Sequence, residues 1–197
     1  MQDLLGFVFA GLALTGSPGP NTLSLAAVGA AYGFRRGILY MAGLFVGMLI
    51  VMAVIATGVG GLMLTVPGVA PLVTALAAVY FLYLAFKIAT APPIDAPDRE
   101  RRAPSFQGGV FLSLVNPKAY AAMAALFSGF QLFSASTELD LTAKIIALGA
   151  IIALVNALWL SAGSALTALF RDPTASRAIN IGFAVLLLAS LAFAVLI

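Results

Sequence analysis

The sequence contains no cysteine and no histidine. That excludes disulfides, thiol redox chemistry, haem attachment and the usual zinc sites, and no metal or cofactor is expected. Charge is scarce as well. Ten basic and seven acidic residues make up 9% of the 197 residues, against about 25% in a typical soluble domain. A water-soluble fold of this size would have too little polar surface to cover itself. Glycine-rich phosphate loops, paired carboxylates and nucleophile triads are also missing, so an ATPase or hydrolase has no support and enzyme activity is not expected. The formal charge of +3 is modest, and it suits membrane orientation better than nucleic-acid binding. The N-terminus lacks a basic n-region: Met1-Gln2-Asp3 leads straight into apolar sequence. The first hydrophobic stretch is therefore expected to be a retained helix and not a cleaved signal peptide.

What is abundant is hydrocarbon. Apolar residues are 62% of the chain, and the charges cluster. None occurs between Asp3 and Arg35, between Arg36 and Lys87, between Lys144 and Arg171, or after Arg177. A bilayer core is about 30 Å thick and takes roughly 20 apolar helical residues to cross. About six spans fit: Leu4–Ala31 with a break at Thr15–Asn21, Ile38–Leu64, Leu72–Thr90, a span within Gln107–Phe133, Leu141–Phe170, and Ala178–Ile197. Between them lie Tyr32–Gly37, a tight connection Val66–Pro71, a proline-rich polar linker Ala91–Phe106, a short acidic loop with Glu138 and Asp140, and Arg171–Arg177. Arg35, Arg36, Arg99, Arg101, Arg102, Arg171 and Arg177 fall on one side of this layout, which makes that side cytoplasmic and places both termini outside. Lys144 is the mild exception.

The two halves look related. Phe9, Gly11 and Pro20 recur at one constant offset as Phe106, Gly108 and Pro117. Each half also opens with an over-long stretch interrupted by proline, Leu4–Phe34 and Ala103–Thr137. Three spans per half forces opposite orientations. The expected fold is all-α and integral to the membrane: six transmembrane helices as two inverted three-helix repeats with proline-broken first helices. It forms a single transmembrane domain, with repeat 1 at 1–90, a cytoplasmic linker at 91–106 and repeat 2 at 107–197. Inverted repeats with interrupted helices at corresponding positions point to a transport site at their interface.

Two clusters could carry chemistry. The first is Pro18, Gly19, Pro20, Asn21 and Thr22, preceded by Ser17. Two prolines flanking a glycine break a helix, and backbone groups freed inside a membrane need partners. The N–H groups opening the second half-helix, with Asn21 and Thr22, suit a carboxylate. The carbonyls ending the first, near Leu14–Gly16, suit an ammonium. The alternative is a packing kink or an interfacial turn. The second cluster is Asn116, Pro117 and Lys118. Pro117 frees the carbonyl of Ser113. A mid-membrane Lys118 would cost about 2.5–3.5 kcal/mol on insertion scales, so it would have a partner or a function there, either pairing with a substrate carboxylate or exchanging a proton. If Ala119–Thr137 alone spans the bilayer, Lys118 is instead a snorkelling anchor.

Asn156 and Trp159 share a face of the fifth span, where Asn156 either packs or lines a path. Gly29/Gly33/Gly37 and Gly43/Gly47 have the spacing of close helix packing. Tyr80, Tyr83 and Lys87 read as an interfacial belt with an anchor.

These residues carry a resemblance. Pro18-Gly19-Pro20-Asn21-Thr22-Leu23, Tyr32-Gly33-Phe34-Arg35-Arg36-Gly37, Gly43 with Gly47, Tyr80 to Lys87, and Asn116-Pro117-Lys118-Ala119 resemble the LysE/RhtB family of bacterial amino-acid exporters, over most of the chain and least after Phe130. The resemblance implies a multi-pass protein of the bacterial inner membrane that exports small neutral amino acids or derivatives, such as cysteine and O-acetylserine, threonine or homoserine. It also implies the proton gradient as energy source. Gly47–Met52 and Phe86–Thr90 are similar to the cysteine/O-acetylserine branch. The partners are then an amino-acid substrate, the lipid bilayer and protons, with no nucleic acid; a homo-oligomer is compatible with the sequence. A channel, a membrane redox carrier or a scaffold without transport are the rival readings. There are departures. Met48 stands where many members have Asp or His, and Ser128-Gly129-Phe130-Gln131 replaces a Pro-Gln-Phe stretch. With no acidic residue in any expected span, a cationic substrate such as lysine is disfavoured.

Overall fold

The computed structural model describes residues 2–58, 69–90, 103–165 and 173–196. Every regular element among them is an α-helix: α1 (Gln2–Gly16), α2 (Pro20–Tyr32), α3 (Phe34–Ala56), α4 (Val69–Ala89), α5 (Phe106–Leu114), α6 (Pro117–Gly129), α7 (Thr137–Ala165) and α8 (Pro173–Leu196). Helices α3 and α7 are each long and apolar enough to cross a membrane. The pair α5 and α6, bent by 62° at its break, makes a third candidate. Leu4–Gly16, Ala78–Ala89 and Arg177–Ala189 are shorter apolar stretches.

Proline sets both breaks. Pro20 and Pro117 each open the second half-helix of a pair, at the position where a missing N–H costs nothing and the fixed φ is already helical. At 1.5 Å per residue, α6 rises about 20 Å and α5 about 14 Å. Thus α6 alone falls short of a bilayer core of about 30 Å, whereas the two halves together reach it. Lys118 lies in the first turn of α6, directly after the break. Because α6 ends at Gly129, no straight helix runs from Ala119 to Thr137, and the bent pair is by its geometry either a broken span or a re-entrant loop.

Several boundaries differ from the sequence expectation. Helix α3 ends at Ala56: the Thr57 N–H still bonds the Ala53 carbonyl, and Gly58 turns into the left-handed region at φ 71°; residues 59–64 of the expected second span lie outside the described residues. Helix α4 starts at Val69, so Pro71 lies in its first turn, where the N–H is unpaired in any helix. Of the connection expected at 66–71, residues 66–68 lie outside the described residues, as do 91–102 of the linker and 171–172 of the last loop. Arg177 is already helical. The expected acidic loop is not a loop. Glu138 and Asp140 form the first turn of α7, where the helix dipole favours carboxylates. Asp140 is buried and pairs with the buried Lys144 one turn on, at 2.6 Å. Its Oδ1 also accepts from the N–H groups of Leu132 and Phe133, and Lys144 Nζ donates to Phe127 O at 3.0 Å. A buried acidic residue therefore does occur in a helix of this chain, contrary to expectation, but it is already neutralised by a neighbour.

Glycines set the closest helix crossings. A Cβ on Gly43 would strike the Phe106 carbonyl, and one on Gly109 would strike that of Tyr40, so α3 and α5 touch backbone to backbone. Gly29 and Gly163 do the same between α2 and α7. Gly33 is different: it faces open space and holds φ at 81°, turning the chain from α2 into α3. Of the expected belt, Tyr80 also tethers α4 to α5. Its hydroxyl donates to Gly108 O at 2.6 Å and its ring packs edge-on against Phe111; Tyr83 is exposed.

Buried side chains form two clusters. One contains Leu25, Tyr40, Leu84 and Leu112; the other Phe7, Met52, Met123 and Leu148. Trp159 packs against both. Large apolar side chains such as Leu5, Phe9, Leu39, Val79, Phe86 and Ile146 point outward, as a hydrocarbon solvent allows.

Candidate functional site

The two helix breaks meet. Lys118 Nζ donates to Ser17 Oγ at 2.7 Å, Ser17 O at 2.9 Å and Pro18 O at 3.0 Å, across 101 residues of sequence to Ser17. Three donors meet three oxygens, so the ammonium is fully occupied. Gly19 makes room for it: a Cβ there would lie 2.8 Å from both Cδ and Nζ of Lys118.

The reason these carbonyls are available is local. In a continuous helix, Leu14 O would accept from residue 18 and Gly16 O from residue 20, but both are prolines. Ser17 Oγ takes Leu14 O at 3.0 Å, and Trp159 Nε1 takes Gly16 O at 3.1 Å. The Gly19 N–H, lifted off the helix by an extended backbone, donates to Thr22 Oγ1 at 2.9 Å. The Ser17 and Pro18 carbonyls are left pointing at Lys118.

A second set of bonds ties the breaks side by side. Asn116 Nδ2 donates to Asn21 Oδ1 at 3.0 Å, Asn21 Nδ2 donates to Ser113 Oγ at 3.0 Å, and Ser113 Oγ donates to Leu44 O at 2.9 Å. Asn116 Oδ1 meanwhile caps α6 by accepting from the Lys118 N–H at 3.1 Å. The Ser113 carbonyl, freed by Pro117, accepts from the Asn116 N–H in a turn.

A cavity of about 40 Å³ lies at this junction. Gly19, Pro20, Asn21, Thr22, Asn116, Lys118 and Asn156 all line it. Pro18 and Pro117 do not; Pro18 is exposed and contributes its carbonyl, and Pro117 acts through the break it imposes. Met48, Met123, Ile152 and Val155 supply an apolar wall. Among the described residues, no acidic side chain lines the cavity. Since one water takes about 30 Å³ of liquid, the space holds water but not an amino acid. The half-buried Lys118 occupies the seat itself. Asn156, 4% exposed on α7, leaves its Nδ2 without a hydrogen-bond partner.

Reasoning from the sequence named Ser17 at the head of the Pro-Gly-Pro run but gave it no place among the site residues, although it is the principal partner of Lys118. It also left out Ser113, whose only signal was the carbonyl released by Pro117. Of the carbonyls expected to receive a cation, Leu14–Gly16, those of Leu14 and Gly16 are satisfied internally; the Ser17 and Pro18 carbonyls receive the lysine ammonium.

Known proteins share much of this sequence. The sequence profile described as "LysE type translocator" matches residues 12–197. The cysteine/O-acetylserine efflux protein of Salmonella typhimurium (strain LT2) is 31% identical over 175 residues, covering 87% of this chain and 86% of that protein. The cysteine/O-acetylserine efflux protein of Escherichia coli O139:H28 is 28% identical over 176 residues, 87% of each. The leucine efflux protein of Klebsiella pneumoniae is 33% identical over 125 residues, 61% of this chain and 59% of that protein. No solved structure gives a significant match.

Proposed function

The chain belongs to the LysE type translocator family, and from that premise we propose that it exports a small neutral amino acid or derivative across the bacterial inner membrane by alternating access. In this reading six spans form two inverted three-helix repeats, the α1–α2 and α5–α6 pairs being the broken first helix of each. The proton gradient drives the cycle. The substrate class follows the site: a cavity whose described lining has no acidic residue offers no counter-ion to a cationic side chain.

One observation carries the proposal. Lys118 places an ammonium group in a seat of two carbonyls and a hydroxyl formed by the opposite break. An amino acid brings an ammonium of the same chemistry together with a carboxylate. Its ammonium replaces that of Lys118 on the Ser17 and Pro18 carbonyls, and the displaced Lys118 turns to its carboxylate. The Asn21 side chain, bonded to Asn116 and Ser113, holds the two breaks in register, while Thr22 fixes the first break internally. Because the cavity is too small for cargo, entry requires the breaks to separate on one side, and release requires them to separate on the other.

Hydrogen bonds to charged groups contribute about 1.5–3 kcal/mol each. Lys118→Met should therefore reach the membrane at normal levels yet lower uptake of labelled serine or cysteine into inverted inner-membrane vesicles by about 10-fold to 100-fold. Undiminished uptake by that variant would remove Lys118 from the mechanism. A protonophore should abolish concentrative uptake in the same vesicles; accumulation that survives it would exclude the proton gradient.

A further inference from the structure

We propose that Asn156 is a specificity-determining residue: its amide N–H receives an uncharged hydrogen-bond acceptor on the substrate's side chain, a hydroxyl, thiol or ester carbonyl, and so selects such amino acids over aliphatic ones of equal size. The inference rests on the transport reading and specifies its substrate.

Two observations and one consequence of the transport reading converge on it. First, every other polar side chain lining the cavity is engaged by the protein itself. Thr15 donates to Gly11 O, and Ser17, Asn21, Thr22, Asn116 and Lys118 bond one another or nearby carbonyls. Asn156 alone among the lining residues has a buried polar atom with no partner. A buried amide N–H left unpaired costs about 1–3 kcal/mol. Second, its surroundings are apolar. Its neighbours on α7 at the cavity are Ile152 and Val155, and Met48 and Met123 line the same space. Third, the zwitterionic end of a bound amino acid is taken by the two breaks, through the Ser17 and Pro18 carbonyls and Lys118. What remains to reach α7 is the side chain. Meeting Ile152 and Val155, it must be mostly apolar; meeting Asn156, it must present a lone pair.

The chemistry also sets what is refused. A side-chain ammonium would face a donor, with no carboxylate among the described lining residues. An aliphatic side chain fits the apolar wall but leaves the amide unpaired, and sites built to bond a substrate hydroxyl reject the analogue lacking it far more strongly than apolar pockets reject an extra methylene.

The test is competition in inverted inner-membrane vesicles carrying the full chain. Labelled serine is competed with unlabelled serine or with 2-aminobutyrate, which replaces the hydroxyl by a methyl group. Wild-type protein should bind serine at least about tenfold more tightly. Asn156→Leu should bring the ratio to about one while still taking up labelled 2-aminobutyrate, and Asn156→Gln, which keeps the amide, should retain a preference. If the leucine variant fails to accumulate in the membrane, Asn156→Ala removes the amide without adding bulk and carries the same expectation. A wild-type ratio near one, or an unchanged ratio in the leucine or alanine variant, overturns the assignment. Wild-type vesicles that take up neither amino acid would sink the transport reading itself, a result distinct from uptake without discrimination.

Discussion

Residues at the two breaks act mainly by answering backbone groups that proline has released. Trp159 is the clearest case. Pro20 cannot donate to Gly16 O, and the indole N–H reaches across from α7 to do so. Trp159→Phe keeps the ring between the two buried clusters but removes the donor. Interhelical hydrogen bonds in membranes contribute about 0.6–2 kcal/mol, so the variant should lose about 1 kcal/mol of stability, read as a lower melting temperature of the purified protein in detergent. An unchanged melting temperature would mean that the Gly16 carbonyl finds another donor. The spacing of Asn156 and Trp159 already placed them on one face. Their division of labour, one satisfied and one not, was illegible, because it depends on which carbonyl α1 presents to α7. Ser17 was hidden for the same reason: nothing in its neighbours announces an ammonium arriving from a lysine in the other half of the chain.

Among the helices, starts were more legible than stops. Pro20 and Pro117 fixed the openings of α2 and α6, since a proline has few places to stand in a membrane helix. The end of α3 was overrun because the residues after Ala56 are as apolar as those before; only Gly58, free to adopt positive φ, marks the stop. The start of α7 was set too late because Glu138 and Asp140 look like solvent-facing residues until Asp140 meets Lys144. The small-residue spacing did foretell close crossings, except at Gly33. Gly163 sits against the Ala26 backbone on α2 with no room for a methyl group. Gly163→Leu must therefore push α7 away from α2, and we expect loss of folded protein from the membrane, by a margin of several kcal/mol given that overpacking alone costs about 1–3. Gly182→Leu, on an open face of α8, is the matched control and should be tolerated. Equal membrane abundance and detergent stability of the two variants would show that the α2–α7 crossing can yield.

For the molecule as a whole, the contacts sort the helix ends. Tyr32 at the end of α2 donates to Lys87 O near the end of α4, and Tyr80 reaches the start of α5; Arg35 and Arg36 open α3 beside them. Phe7 near the start of α1 instead packs against Phe130 after α6, in the region pinned by Asp140 and Lys144. One end of the bundle thus carries Arg35 and Arg36 and the other a neutralised pair, which fits the expected cytoplasmic side for those arginines. The absence of cysteine gives this a clean test. A thiol placed at the exposed Ser134 should react with a membrane-impermeant maleimide in spheroplasts, and one placed at the exposed Arg35 only after the membrane is opened. The reverse pattern would invert the topology. The apolar lining of the site, Met48, Ala119, Ala122, Met123, Ile152 and Val155, belongs to the second of the two buried clusters.

A lysine already seated on the carbonyls of the opposite break fills the chair with a cation on a tether. Under the proposed cycle, sodium or potassium arriving without cargo finds that chair taken in this conformation. A protein resting in it offers those ions no seat from which to drain the voltage across the membrane.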